Sequence, residues 1–152
     1  MNDIKPEDFE NKLILKSDSS SIHHARKLVE QYLRESRVPD SFLFNMCLIV
    51  GEAVANAVSH GSNSTASEVF LSFQIRDGVF QVLVEDFQGR MFDPEYFRRI
   101  AMVKDWGKGG RGIMMMELMV DNMSYLIEEG KHTLLLLEKA LPVECAIKLE
   151  KA

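Results

Sequence analysis

The fold class that the sequence predicts is a two-layer α/β sandwich, a sheet with helices packed on one face. Three observations point there. Two helical patterns fill most of the stretch between Ile22 and His60. A pair of strand-like runs is joined by Arg76-Asp77-Gly78. A second such pair flanks Gly130 near the end of the chain.

Each element carries its own signal. "KLILK" (Lys12–Lys16) reads as a short strand, followed by the Ser-rich cap "SDSSS". In "IHHARKLVEQYLRES", Ile22, Ala25, Leu28, Val29 and Tyr32 recur at helical spacing, which predicts an amphipathic helix. Pro39-Asp40-Ser41 supplies helix-start chemistry for a second helix, from Phe42 to His60. "EVFLSFQI" (Glu68–Ile75) and "VFQVLVE" (Val79–Glu85) predict a hairpin across the Asp-Gly turn. Asp93-Pro94 has the cap-then-proline pattern of a helix opening "EYFRRIAMV". "WGKGGRG" is a glycine-rich loop that enters a helix directly, "IMMMELMVDNM". "SYLIEE" and "HTLLLLEK" close as a second hairpin, and the tail "LPVECAIKLEKA" has no clear pattern.

Composition narrows the class. A chain of 152 residues is expected to form one domain, spanning residues 1–152. With 46% hydrophobic and 27% charged residues it reads as a soluble globular protein. A formal charge of −5 without a basic stripe argues against a nucleic-acid partner, because phosphate backbones demand such a stripe. Cys47 and Cys145 form no metal or redox pattern, which fits a reducing compartment. The N-terminus, "MNDIKPEDFENK", is polar and acidic, unlike a signal peptide. No apolar run approaches membrane-spanning length, so a cytoplasmic location with no membrane contact is expected.

The helix from Phe42 to His60 poses the functional question. It is apolar around most of its circumference, and only a narrow stripe is polar: Asn45, Glu52, Asn56, Ser59 and His60. Residues four apart share a helix face, so Glu52 and Asn56 point the same way. A solvated helix would show a broad polar face; a narrow stripe suits a polar cavity. There a carboxylate can take a proton from a nucleophile, and an amide oxygen can ligate Mg²⁺. The plainer reading is a hydrogen-bonded rim of the sheet, with His60-Gly61 as a helix end.

Two later stretches decide between them. In "VEDFQGRMFDP", Asp86 ends a strand, where its carboxylate can accept the amine of adenine, and Gly89 lets backbone approach the base. In "GKGGRGIMMM", Gly107, Gly109, Gly110 and Gly112 precede a helix whose free N–H groups and dipole would bind phosphate, with Arg111 adding a fixed charge. There is no GxxxxGK[ST], so this is not a P-loop. Taken alone, the first stretch reads as an ordinary strand-to-helix turn. A surface loop accounts for the first two glycines of the second, but less well for Gly110-Arg111-Gly112, which runs straight into an apolar helix.

In order, "EAVANAVSHG", "VEDFQGRMFDP" and "GGRGIMMMELMVDNMSY" resemble the N box and the two glycine boxes of the GHKL-type (Bergerat) ATP-binding fold. The resemblance is to the bacterial anti-sigma-factor serine/threonine kinases of the RsbW and SpoIIAB kind. It implies a mixed, mostly antiparallel sheet with helices on one face, ATP and Mg²⁺ as cofactors, and a lid from Phe92 to Gly109. By that resemblance Glu52 is the general base, Asn56 the Mg²⁺ ligand and Asp86, with Gly89, the adenine site. Gly109, Gly110, Arg111 and Gly112 would hold the phosphates, and Thr133 would lie near the adenine. Arg26 matches a first-helix arginine used to contact partners.

The reaction so implied is γ-phosphoryl transfer to a STAS-domain antagonist by a protein that otherwise holds a sigma factor inactive. A homodimer through the sheet edge or first helix is a family habit. Two features depart from the pattern. Asp86 and Gly89 stand one residue further apart than in the family, so the strand bulges, the adenine contact shifts to Glu85, or it is lost. Ala55 replaces a common threonine or serine. The competing reading is a non-catalytic partner-binding regulator that keeps the kinase fold. A sensor histidine kinase fragment ranks below both, because the chain starts too close to the ATP-binding region for a phosphorylatable helix pair.

Overall fold

The computed structural model describes residues 4–58, 68–86, 111–128 and 132–143. After a 3-10 turn at Pro6–Asp8, the described elements in chain order are β1 (Asn11–Lys16), α1 (Ser20–Glu35), α2 (Asp40–Asn56), β2 (Glu68–Arg76), β3 (Val79–Asp86), α3 (Arg111–Met119), β4 (Asn122–Glu128) and β5 (His132–Ala140). The five strands form one sheet in the order β1-β2-β3-β5-β4. All four pairings are antiparallel, so the described strands carry no parallel pair of the kind a mixed sheet implies.

The helices α1 and α2 form because their apolar residues repeat with the helical period. On α1, Ser21, Ala25, Val29 and Leu33 make one buried row. The Asp18 carboxylate accepts from the Ser20 and Ser21 N–H groups, satisfying two orphan donors at the helix start. At the other end Val38 N–H donates to Leu33 C=O at 3.4 Å and Arg37 N–H to Arg34 C=O at 3.0 Å. That is the Schellman pair, with Arg37 (φ 58°) standing where glycine is usual. On α2, Phe42, Leu43, Met46, Ile49, Val50, Ala53 and Val54 are all buried, as an apolar helix wrapped by neighbours requires. Its α-helical part stops at Asn56 and continues as a wider turn through Val58; Ser59 and His60 lie outside the described residues.

Strand alternation gives the sheet two different faces. Val69, Leu71 and Phe73 of β2, Phe80, Val82 and Val84 of β3, and Leu135 and Leu137 of β5 join the helices in the main core. The opposite face carries a smaller cluster in which Phe9 packs on Leu83 and Leu136. A polar ladder also crosses that face. Gln74 donates to Gln81 (3.0 Å), Gln81 to Glu138 (2.9 Å), and Asn122 to the other Glu138 oxygen (2.8 Å). The β2–β3 turn puts both Asp77 (φ 53°) and Gly78 (φ 76°) in the left-handed region, the type I′ geometry expected of Asp-Gly.

The sequence predicts a helix through Met123, but α3 ends at Met119 and β4 begins at Asn122. Cross-strand bonds override the apolar pattern there. The Asp121 N–H donates to Glu138 C=O (2.9 Å), and the Asp121 carboxylate accepts from Ala140 N–H (2.7 Å) and Lys139 Nζ (3.2 Å). The tail is anchored at its start, where buried Leu141 donates its N–H to Gly78 C=O at 2.9 Å.

Candidate functional site

The central helix α2 packs against α1, α3 and β3, and so sits where three candidate groups can meet. Glu52 and Asn56 lie one turn apart in its last part, both half-buried, between the buried residues Ala53, Val54 and Ala57. The polar stripe therefore faces a neighbouring element, and that element is α3. A Cβ built on Gly112 would collide with Glu52 Oε2. Gly112 is the second residue of α3, so the Glu52 carboxylate lies against the N-terminal turn of this helix. Acid and glycine-bearing helix start, far apart in sequence, are in contact.

Asn56 adds an unsatisfied donor. Its Nδ2 is buried and has no hydrogen-bond partner among the described residues. An orphaned buried polar atom costs about 1–3 kcal/mol, so a fold retains one only where something else completes it. A phosphate oxygen would accept from Nδ2 and leave Oδ1 free for a hard cation. Among the described residues no group of three or more His, Cys, Asp or Glu side chains could cage a metal ion. That donor set fits Mg²⁺, which is held by one or two protein ligands plus phosphate oxygens and water, and does not need an all-protein cage.

The far edge of the site is built by sheet register. Asp86 is the last residue of β3, paired on one side with Val69 of β2 and on the other with Thr133 of β5. Both Asp86 (4% exposed) and Thr133 (8%) are buried. They share the helix-facing side with Val82, Val84 and Leu135. Glu85 points to the opposite face, where its Oε2 lies 3.0 Å from His132 Nδ1. Register continues unbroken to Asp86, with no bulge, so parity presents Asp86 and not Glu85 toward the helices.

Arg26 is half-buried and lies over Gly51, in the room a side chain there would fill, with its Nε buried and without a partner among the described residues. Cys47, one turn earlier, bonds weakly to Arg26 C=O at 3.9 Å. Burial, reinforced by the Glu30 charge, pushes its thiol up to about 11.

The structure thus brings Glu52, Asn56 and Gly112 to one place, and Asp86 beside Thr133 at the end of the neighbouring strands. Arg111 opens α3. Gly89, Gly109, Gly110 and the lid from Phe92 to Gly109 lie outside the described residues. Sequence reading missed the Glu85–His132 contact and the seat of Arg26 on Gly51. Strand parity around Asp86 was the available signal for the first; nothing in the local pattern announces the second.

Comparison with solved structures finds the same fold elsewhere. The RsbU and RsbW domains of Rv1364c from Mycobacterium tuberculosis match with a TM-score of 0.61 at 20% identity, over 86% of this chain and 31% of that one. The chain therefore spans less than a third of that protein's length. A chain of the SiaB–SiaC complex from Pseudomonas aeruginosa matches with a TM-score of 0.64 at 14% identity, over 86% of this chain and 89% of that one. The histidine kinase domain of the blue-light activated histidine kinase EL346 from Erythrobacter litoralis gives 0.51 at 18% identity, over 68% and 46%. No curated protein matches the sequence significantly. The family model of the histidine kinase-like ATPase domain matches residues 15–139, most of the chain. On that match, this chain belongs to the histidine kinase-like ATPase domain family.

Proposed function

We propose that this protein is an ATP-dependent serine/threonine protein kinase that acts as an anti-sigma factor in the cytoplasm, with a STAS-domain antagonist as its phosphorylation substrate. The observation that carries the reading is the Glu52 carboxylate seated against the α3 helix start at Gly112. Family membership supports ATP as the nucleotide. The likeness to a chain of a two-protein complex, over nearly its whole length, supports a protein partner.

In this reading the incoming serine or threonine hydroxyl attacks the γ-phosphorus of ATP. The new P–O bond forms as the bond to the ADP oxygen breaks, and the hydroxyl proton passes to a Glu52 oxygen. Phosphoryl transfer asks the protein for positioning and charge neutralisation more than for covalent chemistry. The N–H groups at the start of α3 and Arg111 bind phosphate oxygens, Asn56 donates through Nδ2, and Asp86 accepts from the adenine amine with Thr133 beside it. Asn56 Oδ1 would hold Mg²⁺, which when bound supplies further neutralisation of the triphosphate. Arg26, seated over Gly51, is the proposed partner contact.

The test is incubation with γ-labelled ATP and a STAS-domain protein encoded beside the gene. Label on a serine or threonine of that protein, absent with Glu52→Gln, is the expected result. A stable complex without transfer would instead select a non-catalytic partner-binding regulator, a reading favoured by the long Asp86–Gly89 spacing.

A further inference from the structure

We infer that Glu85 and His132 are a positioning pair that sets nucleotide-base selectivity from the far side of the sheet; this rests on the reading of Asp86 as the adenine acceptor. Glu85 precedes Asp86 on β3, and His132 precedes Thr133 on β5. Asp86 and Thr133 are register partners facing the helices, so Glu85 and His132 emerge on the other face, diagonal across the same two strands. Their bond, 3.0 Å between Oε2 and Nδ1, ties β3 to β5 at the final pair of the ladder.

The chemistry of the position argues for a directional role. Glu85 sits in a cross-strand row between Phe70 and Leu134, with only 11% of its side chain exposed, against 25% for His132. A carboxylate in such a row costs desolvation that an aliphatic residue would avoid. Replacing a buried charged pair by apolar residues of similar size is often neutral or stabilising. Stability alone therefore gives no reason for the pair. What it adds is a fixed direction: a short bond, available whether His132 is neutral or protonated, that holds two backbones in one register. The side chains one residue further on, Asp86 and Thr133, inherit that register, and an acceptor aimed at one exocyclic amine needs it.

The experiment measures the affinity ratio of ATP to GTP by calorimetry, together with the melting temperature. The Glu85→Leu/His132→Leu double variant is expected to melt no lower than the parent, yet to lose at least fivefold of its preference for ATP. Glu85→Gln, which keeps a polar partner for His132, is expected to retain the preference. Should the double variant fail to fold, His132→Phe against Glu85→Gln gives the same comparison. Asp86→Asn separates the two levels of argument. If it abolishes the preference while the pair variants leave it intact, the pair is only structural and the inference is overturned. If Asp86→Asn itself leaves the preference unchanged, the adenine reading of Asp86 falls, and the role of the pair with it.

Discussion

Glu52 on α2 and Gly112 on α3 fit as carboxylate against bare backbone, with Oε2 taking the room of the missing side chain. Two effects oppose each other if Gly112 becomes alanine. Helix propensity gains up to about 1 kcal/mol, while the displaced atoms are the mobile end of one side chain. Stability wins or breaks even, but the carboxylate must turn away. Gly112→Ala is therefore expected to keep its melting temperature within a few degrees and to lose about a hundredfold in transfer rate, the scale of a 1 Å misplacement. A melting curve and a single-turnover assay on one sample check both halves.

Removing the proposed proton acceptor should leave binding alone. Glu52→Gln keeps the shape and is expected to slow transfer by about 10²–10⁴-fold, the usual contribution of a general base. Its ATP affinity should stay within about threefold of the parent, since in the proposed mechanism the group acts on the hydroxyl and not on the nucleotide. An unchanged kcat would discard the base role.

Asn56 should show the opposite trade. Its buried Nδ2 has no partner among the described residues, so Asn56→Leu removes an unsatisfied donor and is expected to leave the unliganded protein as stable, or up to about 1 kcal/mol more so. The same change should abolish the Mg²⁺-dependent part of ATP binding. Urea unfolding without nucleotide, and calorimetry with and without magnesium, measure the two sides. A large loss of stability would mean that the amide belongs to the core.

Cys47 offers a pH test of the α1–α2 packing. With its thiol pushed up to about 11, chiefly by burial, the reactive thiolate is scarce at neutral pH. In a Cys145→Ser background, iodoacetamide labelling of the folded protein at pH 8 is expected to be at least tenfold slower than in denaturant, and to accelerate as pH rises toward 11. Equal rates in both states would show that the α1–α2 seam is open around this thiol.

Much of the layout was legible because it is written in local periodicity. The buried row Ser21, Ala25, Val29 and Leu33 follows from helical spacing, and the type I′ turn at Asp77-Gly78 from residues that tolerate positive φ. The stripe holding Glu52 and Asn56 was visible as a gap in an apolar helix. What was not legible depends on partners distant in sequence. The end of α3 is set by Asp121 bonding to Ala140 and Lys139, against an apolar run that reads on as helix. Arg37 ends α1 in a conformation usually marked by glycine, so no composition signal marks it. Which of Glu85 and Asp86 faces the helices is read only from strand register.

Phe9 has a practical meaning for anyone shortening this polypeptide. It is 4% exposed and shields Leu83 and Leu136, on the side of the sheet opposite α1, α2 and α3. Trimming the chain past that aromatic ring would forfeit roughly 1.5–3 kcal/mol of burial and leave a wet aliphatic patch between the strands. Such patches self-associate, so a clone begun at the first regular strand should precipitate where the longer one stays dissolved.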